Sequence, residues 1–487
     1  MEKSSADDKA NRSITASKHA NFSEWYVQVL IKSDFIDYTS VSGCIAFRPD
    51  SYFAWERVRD YVDPRLKEDG VENVYFPSLI PEHLLQKEKD HVEGFTPEVA
   101  WVTQTGDSKL DERLAVRPTS EAIMYESLSK WIRSWRDLPM RLNQWNSVVR
   151  WEFKHPTPFL RTREFLWNEG HSAFATKEEE EAEMMRIMNI YGQALKDTMA
   201  IFGVLGRKTQ SEKFAGAVDS FSFEHFMPDG KGVQGPAFHM DEQLFSKAFD
   251  ISFTRKDEKK DYVYQNTYAI STREFGVMVA THSDDKGLVM PPNIARFQVV
   301  IVPIYNDKNR QEVLSYAAEF KKMLDGKARV ILDDRDEYSP GWKFNEWELK
   351  GTPVRVEIGG REAAENVLTV YTRYNSSKEK VEIRDFVDKI KDRLEGIQQA
   401  MYQNSKSFML SRIKRCTSIE ELGRLVEGGF MAQAPWCGSA DCEKSIKDKT
   451  GAKATNMPFE AQSEAVGKKC VYCGKDAAHI VNFARSH

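Results

Sequence analysis

Residues 150–174 read RWEFKHPTPFLRTREFLWNEGHSAF. Two β-prone runs flank a loop that carries Pro156 and Pro158, so the stretch predicts two strands that run out and return beside each other. Arg150 and Glu152 lie two residues apart, which places them on one face of the first strand. Arg161, Arg163 and Phe165 open the return strand. Arginines on facing strands can clamp a polyphosphate through paired N–H donors. An aromatic such as Phe165 can stack on a purine. A salt-bridged hairpin without any ligand accounts for the same charges equally well.

Outward from this stretch, strand-like runs occupy Val71–Ile80, 113–117, 147–153, 163–174, 219–226 and 268–280. Helical spacing marks Asn21–Asp37, Tyr52–Leu66 and Glu178–Ala200. Strands not regularly separated by helices argue for a mostly antiparallel sheet with helices around it. The pattern changes near Ala295. Phe297–Ile304 is a continuous apolar run, as a buried strand should be. Helix 311–324, strand 328–332, a Ser339–Pro340 helix start, and strands 353–358 and 366–371 then spell a small α/β domain. A long helix over 380–414 follows, with Phe386, Ile390, Leu394, Ile397 and Met401 on one face. The fold class expected is α+β and multidomain. Residues 1–20 are polar and expected to be a disordered tail.

Composition sets limits. At 487 residues the chain has room for about three domains. With 41% hydrophobic and 29% charged residues it is neither collagen-like nor disordered. The formal net charge is −5, which excludes a wholly basic nucleic-acid coat but not a local basic groove. Residues 401–487 carry 13 Lys+Arg against 9 Asp+Glu, so the acidic balance lies in the rest of the chain. The opening MEKSSADDKANRS lacks the apolar core of a secretory leader. The apolar run Phe297–Tyr305 is far short of the ~20 residues that span a bilayer. A cytoplasmic protein with no membrane partner is expected.

Four of the six cysteines fall in the last 51 residues. Cys437 and Cys442 are separated by four residues, Cys470 and Cys473 by two. Two such pairs brought together form a tetrahedral S₄ site, the geometry of structural zinc. Cys44 and Cys416 read as ordinary buried thiols.

From about Ser23 onward the chain resembles the prolyl-tRNA synthetases of the archaeal/eukaryotic type, a class II aminoacyl-tRNA synthetase family. Residues 52–81 resemble motif 1, the dimer-interface helix and strand, and SVVRWEFKHPTPFLRTREFLWNEGH at 147–171 resembles motif 2. STREFGVMV at 271–279 resembles motif 3. RPTSE at 117–121 and FTPEVAWVT at 95–103 resemble substrate-side segments of the family. Residues 333–358 resemble its anticodon-binding domain. The resemblance implies a class II antiparallel sheet with flanking helices at 21–290, an α/β anticodon-binding domain at 291–400 and a zinc-binding α+β domain at 401–487. It implies a homodimer that activates L-proline with ATP and transfers it to the 3′ end of tRNA(Pro), with Mg²⁺ and a structural Zn²⁺ as cofactors.

By the same resemblance Arg150 and Arg273 are catalytic. Arg150 bridges the α-phosphate and the amino-acid carboxylate. Glu152, Arg161, Thr162, Phe165, Gln234, Thr272 and Arg273 join Arg150 in binding ATP, with Phe165 under adenine. Proline falls to Thr119, Glu121, Arg150, Trp167, His171, His239 and Ser271, and zinc to Cys437, Cys442, Cys470 and Cys473. Two anions must meet in this reaction, so cations must offset their charge. Proline's ring nitrogen is a cation with two N–H donors, which suits Glu121 and Thr119 against an apolar wall such as Trp167. In the anticodon-binding region, Arg335, Lys343 and Lys350 could reach RNA, with Trp342 or Phe344 for stacking.

Three features depart from the family pattern. Gln234 to Phe245 stands where Gly-Thr-Ser-His and Leu-Gly-Gln-Asn-Phe are usual, so Ala237 replaces a threonine. Ala269 replaces a glycine, and Ala484-Arg485-Ser486-His487 stands where an aromatic usually reaches the active site. Only 99 residues separate His171 from Ser271, which leaves no room for a separate editing domain. Two competing readings are an altered amino-acid specificity and a synthetase-like RNA binder without catalysis.

Overall fold

The computed structural model describes residues 13–91, 98–152 and 154–487. Residues 1–12, and 95–97 of the FTPEVAWVT segment, lie outside the described residues.

The framework of the first part of the chain is an antiparallel run of six strands: Val204–Arg207, Asp219–Phe226, Lys231–Glu242, Tyr264–Ser271, Glu164–Phe174 and Met140–Val149. The short strand Glu72–Asn73 adds in parallel at one end. At the other end Lys453–Pro458, His479–Ser486, Met431–Trp436 and Ile413–Arg415 continue the same sheet. Eleven strands therefore run from one end of the molecule to the four-cysteine region without a break. Helices Phe22–Lys32, Pro49–Glu68, Lys177–Asp197 and Arg273–His282 cover one face. Their apolar residues, among them Trp25, Val58, Ile187, Tyr191, Phe275 and Val279, form the largest core with Phe238 and Tyr268 of the sheet. Gly170 is required there. A Cβ on it would lie 1.9 Å from Tyr268 Cε2, and Tyr268 is itself stacked on Phe238 at 5.8 Å.

Residues 299–304, 330–332, 354–359, 367–372 and 377–382 form a separate five-stranded mixed sheet. Its first three strands in space are parallel, as the strand–helix–strand spacing requires. Arg373 ties this unit to the preceding part of the chain through two bonds to Asp284, of 2.8 and 2.6 Å. The helix Ile383–Arg412 then runs unbroken through residue 400.

Four local expectations change. The run 268–280 is not one strand: the strand ends at Ser271 and the helix Arg273–His282 follows. Residues 274–280 are all buried, so no polar face discloses the helical period. The expected strand Val71–Ile80 splits into 72–73 and 79–81, because Pro77 brings no N–H to a ladder. The strand expected over 147–153 ends at Val149. Arg150 N still donates to Arg163 O, but Trp151 N turns away to Glu98 O, so Arg150 and Glu152 lie on a loop. Residues 13–20 are tied down and not frayed. Thr15 N donates to Gln28 Oε1, Lys18 N to Asp285 Oδ1 and Lys18 Nζ to Ser283 O.

Candidate active site

The ladder places the site residues in rows across the sheet. One row runs His171, Thr267, His239, Ser220 on neighbouring strands. The next, two residues along, runs Gln144, Glu169, Ala269, Ala237, Ser222. Asn146, Trp167 and Ser271 form the third, and Val148 and Phe165 the fourth. Alternation puts these rows on one face. From His171 to Phe165 they span about 20 Å at ~3.4 Å per residue.

A cavity of about 200 Å³ lies on this face. Ten of the expected residues line it: Thr119, Glu121, Arg150, Phe165, Trp167, His171, Gln234, His239, Ser271 and Arg273. An adjoining cavity, also about 200 Å³, shares Gln234 and Arg273 and adds Arg161. Glu152, Thr162 and Thr272 line neither cavity. Glu152 is exposed on its loop, and Thr162 and Thr272 are buried, Thr272 as the residue that caps the helix at Arg273.

One end of the first cavity is built around a buried carboxylate. Glu169 accepts from Ser120 N and Oγ at 3.1 and 2.5 Å, from Gln144 Nε2 at 2.9 Å and from Asn146 Nδ2 at 2.6 Å. His171 Nε2 lies 3.2 Å away. Burial opposes the charge, but the hydrogen bonds of His171, Ser120 and Gln144 outweigh it and hold Glu169 down at about 2. Asn146 in turn accepts from Trp167 Nε1 at 2.6 Å, which fixes that ring as a wall. Glu121 opens the helix Glu121–Trp131 and is buried, yet its Oε2 has no hydrogen-bond partner among the described residues. A buried, unpartnered carboxylate oxygen on a cavity wall wants a cationic donor. Across the sheet His239 Nδ1 lies 2.8 Å from Ser220 Oγ and its ring stacks on Phe214 at 4.7 Å. Burial, then the charges of Lys208 and Arg150, push His239 down to about 3, so it is neutral at pH 7. Glu169, Lys208, Glu212, Phe214 and Ser220 line the cavity without having been expected. Glu169 was reachable, since it is two residues from Trp167 on the same strand face. Residues 208–214 carry no periodic pattern.

The other end is cationic. Arg150 Nε donates to Pro118 O at 2.9 Å, and its guanidinium carbon lies 5.5 Å from the Phe165 ring and 5.3 Å from Trp167. Arg273 Nη1 donates to Gln234 O at 3.3 Å. Burial lowers the Arg273 pKa, with Arg150 and Arg161 acting in the same direction. Three guanidinium groups beside a flat aromatic can receive a nucleotide phosphate chain with its base on Phe165. The segment 479–486 returns to this end. Arg485 and Ser486 pair with Lys231 and Gly232, and His487 N donates to Gly232 O at 3.0 Å. Ser486 and His487 thus line the second cavity.

The departures in 236–242 have visible consequences. Ala237 and Ala269 face each other across the ladder and form a low, apolar floor in the second row. A bulge after Met240 puts Glu242 at φ 47, the left-handed region that the glycine of the usual pattern adopts freely. Its N–H donates to Glu180 Oε1 at 3.2 Å and its carboxylate meets Lys177 Nζ at 2.6 Å.

In the five-stranded unit Lys343 is buried and donates to Asp333 O at 2.9 Å, so it does not reach outward. Phe344 packs with Val300, Val302 and Trp347. Lys350 pairs with Glu346 at 3.3 Å. Trp342 stacks on Tyr338 at 3.8 Å and 12°, with Arg335 over both rings.

The thiols of Cys437, Cys442, Cys470 and Cys473 all lie within 4.8 Å of one another. Cys473 Sγ is 3.7 Å from Cys437 Sγ. Metal–sulfur bonds of about 2.3 Å in a tetrahedron place sulfurs about 3.8 Å apart, so the donors fit one soft ion. Cys416 is buried, and burial pushes its thiol up to about 12.

Comparison with known proteins follows this division. Residues 101–282 match the tRNA synthetase class II core domain (G, H, P, S and T). Residues 298–393 match the anticodon binding domain, and 419–487 match "Prolyl-tRNA synthetase, C-terminal". The proline–tRNA ligase of Natranaerobius thermophilus is 44% identical over 470 residues, 96% of each chain. That of Natronomonas pharaonis is 43% identical over 475 residues, 97% of this chain and 98% of the relative. The crystal structure of prolyl-tRNA synthetase from Cryptosporidium parvum, complexed with halofuginone and AMPPNP, superposes with a TM-score of 0.94 at 41% identity. It covers 98% of this chain and 100% of that one.

Proposed function

Because the chain belongs to the proline–tRNA ligases, class II aminoacyl-tRNA synthetases, we propose that its sheet holds L-proline and ATP end to end, meeting at Arg150. The reaction activates proline with ATP, releases pyrophosphate and transfers the prolyl group to the 3′ end of tRNA(Pro). The observation that carries the residue roles is the row order from His239 and Glu169 to Phe165, with Glu121 on the wall of the first cavity and Arg161 and Arg273 on that of the second.

Proline's ammonium pairs with the unpartnered Oε2 of Glu121, backed by Thr119, and its ring lies against Trp167. Glu169 places a second negative charge beneath the pocket, and neutral His239 adds no repulsion. His171 and Ser271 complete the wall. The carboxylate, ionised at pH 7, attacks the α-phosphorus while the bond to the leaving pyrophosphate breaks. Arg150 offsets the charge of both anions. Its Nε is committed to Pro118 O, so its Nη donors meet the ligand oxygens. Gln234, Arg161 and Arg273 hold the remaining phosphates. Positioning and electrostatics, and not acid–base chemistry, supply the rate. Mg²⁺ accompanies the phosphates of ATP, but Glu152 is exposed and lines neither cavity, so no step here relies on a protein ligand for that ion. Thr162 and Thr272 are buried and line neither cavity, so no contact with ATP is assigned to them.

ATP–pyrophosphate exchange with a panel of amino acids, cysteine and alanine included, tests this reading; absence of signal with proline overturns it. Within the same assay Glu121→Gln is expected to raise the KM for proline about 100-fold, as when one partner of a desolvated charge pair is truncated. The KM for ATP should be unchanged, and a proline KM near the wild-type value removes Glu121 from the ammonium site.

Three further assignments belong to this reading. The four cysteines hold a structural Zn²⁺, all donors being protein thiols with none left open. Tyr75 (72% exposed), Leu79, Trp101 and Trp131 are exposed apolar residues in and beside the motif 1 segment, and we assign them to contact with a second copy of the chain. Sedimentation should give twice the 56.0 kDa chain mass, and a monomer at micromolar concentration removes the assignment. The Arg335–Tyr338–Trp342 stack receives an anticodon base. Trp342→Ala should raise the KM for tRNA about tenfold without touching proline-dependent exchange; an unchanged tRNA KM dismisses the contact. The division at 290 and 400 separates these three tasks, with helix 383–412 carrying across the second boundary. No described helix is long and apolar enough to cross a membrane, and a cytoplasmic site of work is part of this proposal.

A further inference from the structure

Residues 208–214 reach the amino-acid end of the cavity from a turn that the four-cysteine region holds from behind. Lys208 is buried on the cavity wall. Its Nζ donates to Glu224 Oε1 at 2.6 Å and to Thr455 O at 2.7 Å. Thr209, 1% exposed, donates from Oγ1 to Glu443 Oε1 at 2.8 Å. Glu443 follows Cys442 directly, in the first turn of the helix Ala440–Thr450. Asn456 Nδ2 donates to Val204 O at 2.8 Å, and Met457 and Pro458 pair with Arg207 and Gly206. From Thr209 the chain makes one turn, in which Glu212 N and Lys213 N donate to Thr209 O. It then presents Phe214, whose N–H donates to Ser220 Oγ at 3.0 Å. Ser220 Oγ and the Phe214 ring are the two neighbours of His239 described above.

We propose that Thr209 and Lys208 are positioning residues through which the four-cysteine region sets the amino-acid end of the cavity. The region fixes the turn 209–213, and the turn fixes Phe214 and Ser220 on His239. The proposal rests on the proline-site reading for its readout and on the cysteine reading for its source. The nucleotide end is built on other contacts: Arg150 on Pro118 and Arg273 on Gln234. Disturbing the Thr209–Glu443 bond should therefore separate proline from ATP.

The test uses the full chain. Thr209→Val removes the hydroxyl at constant shape, Thr209→Ser keeps it, and Glu443→Ala removes the acceptor. Thr209→Val is expected to raise both the KM for proline and the calorimetric Kd for proline about fivefold, the scale of one net hydrogen bond. The KM for ATP and the zinc content per chain should not change, and Thr209→Ser should restore the wild-type values. The double variant should be no worse than Glu443→Ala alone, because that substitution already removes the acceptor of the Thr209 hydroxyl, together with that of Ser211. The proposal is overturned if Thr209→Val leaves proline binding unchanged, if it weakens ATP equally, or if the two substitutions add. Should Thr209→Val not fold, Glu443→Ala on its own must show the same split between proline and ATP. A wild-type chain that carries no metal overturns the cysteine reading, while these comparisons still judge the turn.

Discussion

Replacement of Arg150 by alanine is expected to lower kcat/KM for proline-dependent ATP–pyrophosphate exchange by on the order of 10²–10³, the cost of deleting one preorganised donor to a developing charge. The Arg150 side chain is half-buried beside Phe165 and Trp167, and among the described residues it donates one hydrogen bond, from Nε to Pro118 O. Its loss should therefore cost the fold only about 1 kcal/mol, and the melting temperature should stay near that of the parent. Arg150→Lys keeps the charge but not the planar fork, so it should recover part of the rate and not all of it. The decisive comparison is exchange rate against thermal stability in the same preparations. An Arg150→Ala enzyme that exchanges pyrophosphate normally removes this arginine from the mechanism.

Cys442→Ser, or removal of metal by a chelator, is expected to unfold the last 70 or so residues and to take activation with them. Binding of zinc to such a site contributes about 10–16 kcal/mol, as much as the whole stability of an ordinary domain. The loss cannot stay local, because Lys453–Pro458 is the sheet neighbour of Val204–Arg207, which in turn pairs with the strand bearing Ser220. The variant should hold well under one zinc per chain by metal analysis and melt far below the parent. A Cys442→Ser chain that melts and exchanges like the wild type would mean that the four thiols hold nothing of consequence. Thr209→Val differs from this variant in the one respect that matters, since it should keep its metal.

The return strand was legible because its chemistry follows a period of two: Phe165, Trp167, Glu169 and His171 fall on one face. Phe165 was read as a ligand residue from its chemistry, Trp167 and His171 by the resemblance, and Glu169 was not singled out. The helix after Ser271 was misread as strand because burial on all sides erases the helical period. Arg150 and Glu152 were read onto one face of a strand that stops at Val149, so their shared face is not a strand face. Lys343 looked like an RNA contact by charge and proved to be an internal donor to Asp333.

What the amino-acid order determines alone is what depends on local geometry and composition: the antiparallel class of the core, the α/β unit that follows it, the cysteine pairs and the arginines around the hairpin. The tertiary structure decided which of these meet. Rows from five strands, with paired residues about 100 positions apart in the chain, become neighbours only when the register is set. The joining of the four-cysteine region to the catalytic sheet rests on two strand pairings and the buried bonds of Lys208, Thr209 and Asn456. Contacts between residues more than 200 positions apart leave no period in the sequence, because nothing in the local chain repeats to signal them.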